Sequence, residues 1–125
     1  MWVEFNANPQ NKHIGDCTVR AISFALGVSW EDAFIGLATE GLVKHDMPSS
    51  NSVWGQYLRE NGFSKKNVKK DIDYTLTEFC DDHPSGMFVV ALPGHVVAVN
   101  NGNYYDTWDS GGELPLYYWQ KENKT

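Results

Sequence analysis

Residues 15–27 read GDCTVRAISFALG, and in this stretch a short polar turn passes into an apolar helix. Asp16 is a good N-cap candidate, and the apolar residues at helical spacing on one face are Val19, Ile22, Ala25 and Leu26. Gly27 has the position of a C′ residue that ends the helix. The stretch therefore predicts a central helix, apolar enough to be buried, with Cys17 in its first turn.

A cysteine in the first turn of a helix is well placed to react. Unsatisfied backbone N–H groups and the positive end of the helix dipole stabilise a thiolate there. Cys17 could instead be a small apolar residue in a helix-packing interface. The residues downstream bear on the choice between these two roles.

Further helices and strands are predicted on both sides of this helix. A second helix is capped at Ser29 and ends at Gly41, a third spans residues 52–61, and a short one begins at Thr75 and ends before Pro84. Strands are predicted at residues 2–5, near 68–72, and at 87–92, 95–99, 104–108 and 116–119. Residues 87–92 show little polar alternation, so we expect that strand to be buried on both faces. Because the helices precede most of the strands, the class is α+β, in a single domain of residues 1–125.

Two polar residues interrupt the apolar strands near the C-terminus. His95 begins a strand, and Asp106 stands among large apolar residues, where a carboxylate needs a partner. If the hairpin folds about Asn101 and Gly102, His95 pairs near positions 106–108, within reach of Asp106. His95 could also be a structural histidine bonded to a backbone carbonyl. Together with Cys17, the two residues predict a nucleophile, its base and the group that orients the base.

In these contexts the chain resembles the papain-like cysteine peptidase superfamily, especially small bacterial and phage-type members related to bacteriocin-processing peptidases. Gly15-Asp16-Cys17 is similar to the family's Gly-x-Cys, Gly94-His95 to its Gly-His strand, and Asp106-Thr107-Trp108 to its Asn-Ser-Trp segment. The resemblance implies a papain-like α+β fold, with the cysteine-bearing helix packed on a C-terminal antiparallel sheet. It also implies a catalytic triad of Cys17, His95 and Asp106, with Trp108 shielding the orienting residue from water.

The segment before the cysteine departs from the family pattern. The family's oxyanion-hole glutamine lies about six residues before the cysteine; Asn11 has that spacing here, and Gln10 is one residue further away. Either amide could donate to a developing oxyanion beside the Cys17 N–H, as side-chain donors do in acyl-transfer enzymes. Thr18 occupies the position of the aromatic residue that usually follows the cysteine.

Two further residues have candidate roles at the site. Asp109 is the alternative to Asp106 as the group that orients His95. Arg20, one helical turn after Cys17, is predicted to pair with Asp106 or Asp109, either as an ordinary structural ion pair or as part of the site.

Composition excludes several classes of function. The formal net charge is −6, and the few lysines gather mainly at residues 65–70 and at the C-terminus, which argues against nucleic-acid binding. No apolar run approaches the ~20 residues needed to span a membrane, and no basic-then-apolar leader is present, so we expect a cytoplasmic protein without a membrane partner. His13, Cys17, Cys80 and His83 match no common zinc spacing, so no metal or cofactor is predicted, and Cys80 is expected in the core.

The sequence thus predicts an enzyme: a thiol-dependent hydrolase or acyl transferase. It would cleave a peptide, isopeptide or side-chain amide of a protein or peptide substrate through Cys17, His95 and Asp106. The alternative is a non-catalytic papain-like interaction protein, such as a phage or mobile-element factor that binds a host protein. The short chain and Thr18 after the cysteine favour that alternative.

Overall fold

The computed structural model describes residues 1–68 and 73–122, which form four helices and six strands. The helices are α1 (Cys17–Leu26), α2 (Trp30–Lys44), α3 (Asn51–Glu60) and α4 (Leu76–Asp82). The strands are β1 (Trp2–Glu4), β2 (Phe63–Asn67), β3 (Met87–Leu92), β4 (His95–Asn100), β5 (Asn103–Asp106) and β6 (Tyr117–Lys121). The α+β class is confirmed.

The six strands form one sheet in the order β1-β5-β4-β3-β6-β2. Strands β3, β4 and β5 form the predicted antiparallel meander, with Ala98 opposite Tyr105 and Val99 opposite Tyr104. However, β1 runs parallel to β5, so the sheet is mixed and not purely antiparallel as expected. The long chain segment between β1 and β5 leaves their relative direction free, whereas a tight hairpin would force it to be antiparallel.

The ends of the first two helices follow their local sequence, with one exception. Gly27 caps α1 in the left-handed conformation with φ 66°, and the Ser29 side chain accepts a hydrogen bond from the Asp32 N–H at 3.0 Å. The prediction that α2 ends at Gly41 is wrong, because the helix continues to Lys44. A Cβ atom at Gly41 would lie 2.6 Å from the Asp46 carbonyl oxygen, so this glycine permits a close backbone approach and does not stop the helix.

Several predicted strand and helix bounds shift in the structure. Strand β2 (Phe63–Asn67) pairs with β6. Of the strand expected near residues 68–72, Val68 lies outside any strand, and residues 69–72 fall outside the described part of the chain. The lysines of β2 are exposed, as is common on an edge strand. Strand β5 ends at Asp106 and not at Trp108, β6 runs from Tyr117 to Lys121, and α3 begins at Asn51.

Buried side chains form two clusters, each including alternate residues of β3. Val89 and Ala91 belong to a cluster that includes residues of α1, α2 and α3, whereas Val90 and Leu92 belong to one that includes residues of α4. The prediction that β3 is buried on both faces is confirmed. Helix α1 packs against β4, and this contact brings the start of the helix to the strand that carries His95.

Within the described ranges, no single helix has the length and apolar composition needed to cross a membrane. Helices α1 and α2 meet the criteria of length and composition only as a pair, and the chain bends by 111° between them.

Candidate active site

Cys17 is the first residue of α1, and it is partly buried. The i to i−4 hydrogen bonds of the helix begin at Arg20, whose backbone N–H donates to the Asp16 carbonyl at 2.8 Å. Earlier N–H groups have no carbonyl one turn back, so this end of the helix carries partial positive charge. The thiol therefore lies where a thiolate is favoured.

His95 begins β4 directly after a two-residue turn of Pro93 and Gly94. Gly94 has φ 63°, a conformation that strains residues with a Cβ atom, so the glycine permits the tight turn that leads to His95. The Nε2 atom of His95 lies 2.7 Å from Oδ2 of Asp106, and the ring also interacts with the thiol of Cys17. Because Nε2 is engaged by Asp106, Nδ1 is the nitrogen left for the thiol.

The pKa values of Cys17 and His95 move in opposite directions. Burial alone would raise the pKa of Cys17, but hydrogen bonds from His95 and from the Val96 backbone N–H outweigh it, so the thiol pKa is lowered. Burial alone would lower the pKa of His95, but its hydrogen bonds with Asp106 and Cys17 raise it to about 9. A lowered thiol pKa beside a raised imidazole pKa favours a thiolate–imidazolium pair.

Asp106 is the last residue of β5, and its side chain is only 1% exposed. Its Oδ2 accepts hydrogen bonds from His95 Nε2 at 2.7 Å and from the Ser110 hydroxyl at 2.6 Å. Its Oδ1 accepts from the Thr107 N–H at 2.8 Å and from Arg20 at 3.1 Å. Burial alone would raise the pKa of Asp106, but the hydrogen bonds from His95 and Ser110 outweigh it and lower the pKa. The buried carboxylate is thus held in its charged form.

Arg20 joins Asp106 to the turn that precedes Cys17. Its guanidinium is 3.1 Å from Asp106 and 2.6 Å from Asp16, and all three side chains are buried. Asp16 also accepts a hydrogen bond from the Trp30 indole N–H at 2.9 Å. Of the two partners considered for Arg20 from the sequence, Asp106 and Asp109, the structure pairs it with Asp106. Asp16 stands at the N-cap position as predicted, but its side chain forms the ion pair and does not cap α1.

Trp108 lies beside the imidazole of His95, with 5.0 Å between the ring centroids. Its side chain is partly covered, and the residue is 44% exposed. The indole therefore covers one side of the His95 ring, next to the hydrogen bond with Asp106.

Asp109, the alternative orienting residue, lies elsewhere. Its carboxylate accepts hydrogen bonds from the Tyr104 hydroxyl and from the Gly111 backbone N–H. The structure thus places Asp106, and not Asp109, against His95.

The two candidate oxyanion donors belong to the loop in front of α1, and both are exposed. The Oδ1 atom of Asn11 accepts a hydrogen bond from Asn6 at 3.4 Å, and the backbone N–H of Gln10 bonds to Asn8 at 2.9 Å. Within residues 1–68 and 73–122, neither side-chain amide hydrogen-bonds to Cys17 or lines the cavity beside it. The structure does not bring these amides to the thiol.

Sequence reasoning did not identify some of the groups that contribute to the site. The Ser110 hydroxyl, the Thr107 N–H and the Trp30 indole all bind one of the two buried carboxylates. Ser110 follows Asp106 by four residues in a glycine-containing loop, which is a common loop composition and carries no signal of a buried hydrogen bond. The Trp30 contact joins two helices, so sequence spacing could not indicate it.

A cavity of about 330 Å³ opens beside Cys17 and His95. Helix α3 contributes Asn51 and Trp54 to its wall, and β6 contributes Tyr117. Among the described residues that line it, none is an aspartate, glutamate, lysine or arginine. Apart from the Cys17–His95 pair itself, a group that approaches the thiol through this cavity therefore meets uncharged side chains.

Cys80 differs sharply from Cys17. It is 2% exposed on the buried side of α4, in the core as predicted, and burial raises its pKa to about 11. In the described ranges no three histidine, cysteine or acidic side chains are grouped as a metal site. Cys17 is accordingly the thiol that the site presents for reaction. No protein-family model, curated protein or solved structure significantly matches the chain.

Proposed function

We propose that the chain is a papain-like, thiol-dependent hydrolase or acyl transferase that acts on an amide of a protein or peptide. The single observation that carries this proposal is the adjacency of three side chains: the Cys17 thiol interacts with His95, and His95 is hydrogen-bonded to the buried Asp106. A nucleophile, its base and an orienting carboxylate in that order are the parts that covalent acyl transfer needs. The place of the cysteine at a helix start, and of the other two residues on adjacent strands, supports the papain-like resemblance.

The proposed reaction begins with the thiolate–imidazolium pair. The sulfur of Cys17 attacks the carbonyl carbon, and the Cys17 backbone N–H stabilises the resulting oxyanion. His95 gives its proton to the leaving nitrogen as the C–N bond breaks, which leaves a thioester on Cys17. Water then attacks the thioester, His95 takes a proton from that water, and the acid product departs as the thiolate re-forms. Asp106 holds the His95 ring in orientation throughout.

A second oxyanion donor in this proposal is the side-chain amide of Gln10 or Asn11. Both belong to the loop that leads into Cys17 and both are exposed, but neither lies at the thiol in the structure, so the donating side chain would have to turn toward it when substrate binds. Gln10 is favoured because its longer side chain reaches further.

The side chains around the Cys17–His95 pair limit the kind of acyl group that fits the cavity. They are apolar and aromatic residues with a few neutral polar groups, so a charged side chain that lies against them would lose its hydration without gaining a partner. A neutral acyl segment is therefore the proposed donor, attached through a peptide, isopeptide or side-chain amide bond.

One observation favours the alternative of a non-catalytic interaction protein. Helix α2 and the residues after it expose large apolar side chains, including Ile35 at 62%, Leu42 at 73%, Val43 at 72% and Met47 at 68%. Clustered exposed apolar residues often mark a protein-binding surface. Under this alternative the thiol need not be activated, and the surface of α2 would bind the partner.

Trapping of the acyl-enzyme tests the proposed function. We would incubate wild-type protein with libraries of neutral peptides, isopeptides and glutamine-containing peptides, and then measure the intact mass and the products. The proposal predicts a thioester adduct on Cys17 and released amine, both lost in Cys17→Ser and retained in Cys80→Ser. Wild-type protein that forms neither adduct nor product, while Cys17→Ser still binds a host protein through α2, supports the interaction protein instead.

A further inference from the structure

A second cavity adjoins the cavity beside Cys17 and His95, which is called the Cys17 cavity below. The second cavity has a volume of about 210 Å³, and its lining residues belong to α3, β2 and β6, so it is called the α3–β6 cavity. Asn51 and Tyr117 line both cavities, which therefore share part of their walls. A peptide segment that occupies the Cys17 cavity can continue from there into the α3–β6 cavity.

Two cationic side chains line the α3–β6 cavity. The guanidinium of Arg59 lies 5.2 Å from the ring centroid of Trp119, and the ammonium of Lys65 lies 4.3 Å from that of Tyr117. Lys65 on β2 stands opposite Trp119 on β6, and strand alternation puts Tyr117 on the same face of the sheet. The aromatic rings attract these cations without cancelling their charge. Lys65 is thus held against a residue that also lines the Cys17 cavity.

No aspartate or glutamate is among the described residues that line the α3–β6 cavity. Within residues 1–68 and 73–122, neither Arg59 nor Lys65 forms an ion pair with a carboxylate. Arg59 donates a hydrogen bond to Oε1 of Gln56 at 3.1 Å, and Gln56 donates to Glu60, which does not line the cavity, at 3.2 Å. The cavity is therefore a local region of positive charge on a chain whose formal net charge is −6.

Neutral donors lie at the boundary between the two cavities. Asn51 and Ser52 are the first two residues of α3, where backbone N–H groups have no carbonyl one turn back and carry partial positive charge. The side-chain oxygen of Asn51 accepts a hydrogen bond from the Trp54 indole at 3.0 Å. An indole N–H only donates, so this contact orients the Asn51 amide and leaves its NH₂ group for an acceptor. Cations and neutral donors together suit a carboxylate.

We propose that the α3–β6 cavity is a substrate subsite that binds a carboxylate of the peptide. This inference rests on the proposed function and deepens it, because it identifies the substrate as an acidic peptide. The segment against the thiol stays neutral, and the carboxylate lies one cavity away from the bond that is cleaved. Arg59 and Lys65 are thus specificity-determining residues that do not touch the reacting atoms.

Chloroacetyl peptides test this subsite without an identified substrate. The Cys17 sulfur forms a bond to the chloroacetyl carbon and chloride leaves, so the reagent is tethered at the thiol. A glycine spacer of up to about four residues, each spanning ~3.5 Å, lets the far end of the reagent reach the cavity. One reagent ends in glutamate amide, the neutral reagent ends in glutamine amide, and a third ends in glutamine with a free C-terminal carboxylate. The last two acidic forms distinguish a side-chain carboxylate from a C-terminal one.

The rate of labelling at Cys17 is measured for each reagent by mass spectrometry, and the rate with an acidic reagent is divided by the rate with the neutral one. This ratio removes differences in thiol reactivity between variants. At the best spacer length we expect one of the acidic reagents to react at least about threefold faster than the neutral one, as one or two exposed ion pairs would produce. Because salt screens exposed charges, the ratio should fall toward one as ionic strength rises.

Lys65→Met and Arg59→Met should each lower the ratio, and the double variant should bring it close to one. Lys66→Met is the matched control: Lys66 is the next residue of β2, its ammonium is 3.8 Å from Glu122, and it lines neither cavity. It should leave the ratio unchanged.

Equal rates for acidic and neutral reagents at every spacer length would overturn the proposal. So would a preference for acidic reagents that Lys66→Met lowers as much as Lys65→Met does, because it would reflect the general charge of the edge strand. A wild-type Cys17 that reacts with the neutral reagent only as an ordinary thiol does would instead contradict the proposed function, so the two failures are distinguishable.

Discussion

The Nε2 atom of His95 and the Oδ2 atom of Asp106 are 2.7 Å apart, at the start of β4 and the end of β5. Because these strands are antiparallel neighbours, the two residues meet at the same end of the sheet. The contact holds one ring nitrogen and leaves the other for Cys17. It also raises the pKa of His95 to about 9, against the opposing effect of burial.

Replacement of Asp106 by Asn removes the negative charge that favours the imidazolium. We therefore expect the pKa of His95 to fall from about 9 toward its ordinary value of 6.5. NMR titration of the His95 ring measures this change directly. Asp109→Asn is the matched control, since Asp109 binds Tyr104 and not His95, and it should leave the titration unchanged. An equal fall in both variants would contradict the assignment of Asp106.

Ser110→Ala removes a fully buried hydroxyl that donates to Asp106 at 2.6 Å. A hydrogen bond to a charged group contributes about 1.5–3 kcal/mol, so we expect the free energy of unfolding to fall by about that amount. Equilibrium unfolding in urea measures this free energy for the wild type and the variant. Ser52→Ala, which removes an exposed hydroxyl bonded to Asp46, should cost less than about 0.5 kcal/mol. If the two variants lost the same free energy of unfolding, the Ser110–Asp106 hydrogen bond would contribute no more to stability than an exposed one.

The sequence predicts the outline of this fold because periodicity and capping are local signals. The apolar period of α1, Gly27 after it and the Ser29 cap all lie within a few residues of what they control. The parallel pairing of β1 with β5 depends on residues about a hundred positions apart, and no local pattern encodes it. The true role of Gly41 likewise depends on the backbone of a following loop.

The same distinction applies to the candidate site. His95 and Asp106 stand out because they are polar residues in apolar strands, and a hairpin register brings them together. Ser110 and Trp30 are common residue types in unremarkable positions, so only the folded chain reveals their contacts. The Gln10 and Asn11 assignment rests on spacing from the cysteine, which does not determine where a loop side chain points.

Single substitutions separate the two candidate oxyanion donors. We expect Gln10→Ala to lower turnover of the amide donor identified by acyl-enzyme trapping by about 100-fold, which is typical of a lost oxyanion-hole donor. Asn11→Ala should change turnover by less than about threefold, because the shorter Asn11 side chain reaches less far toward the thiol. Steady-state kinetics with that donor measure both. If neither variant is impaired, the oxyanion hole has no contribution from these amides.

Turnover and alkylation should differ in their response to alkaline pH. Amide cleavage needs the His95 proton for the leaving nitrogen, so turnover should fall as pH rises through the pKa of His95, about 9. Alkylation needs only the thiolate, which persists at higher pH, so its rate should not fall there. The comparison requires the rates of amide turnover and of Cys17 alkylation to be measured across pH on the same protein preparation. A decline of both rates together above that pH would point to unfolding and not to loss of the acid.

The most direct test of the central claim is the rate of iodoacetamide alkylation at Cys17 and at Cys80 across pH, measured for each site by mass spectrometry. Because the Cys17 pKa is lowered and burial raises that of Cys80 to about 11, we expect Cys17 to react at low pH while Cys80 does not. In His95→Ala the pH at which Cys17 alkylation reaches half its maximal rate should rise toward the ordinary thiol pKa of about 8.5. A Cys17 profile that already lies at the ordinary pKa in wild-type protein, and is unchanged in His95→Ala, would contradict the thiolate–imidazolium pair and with it the proposed enzyme.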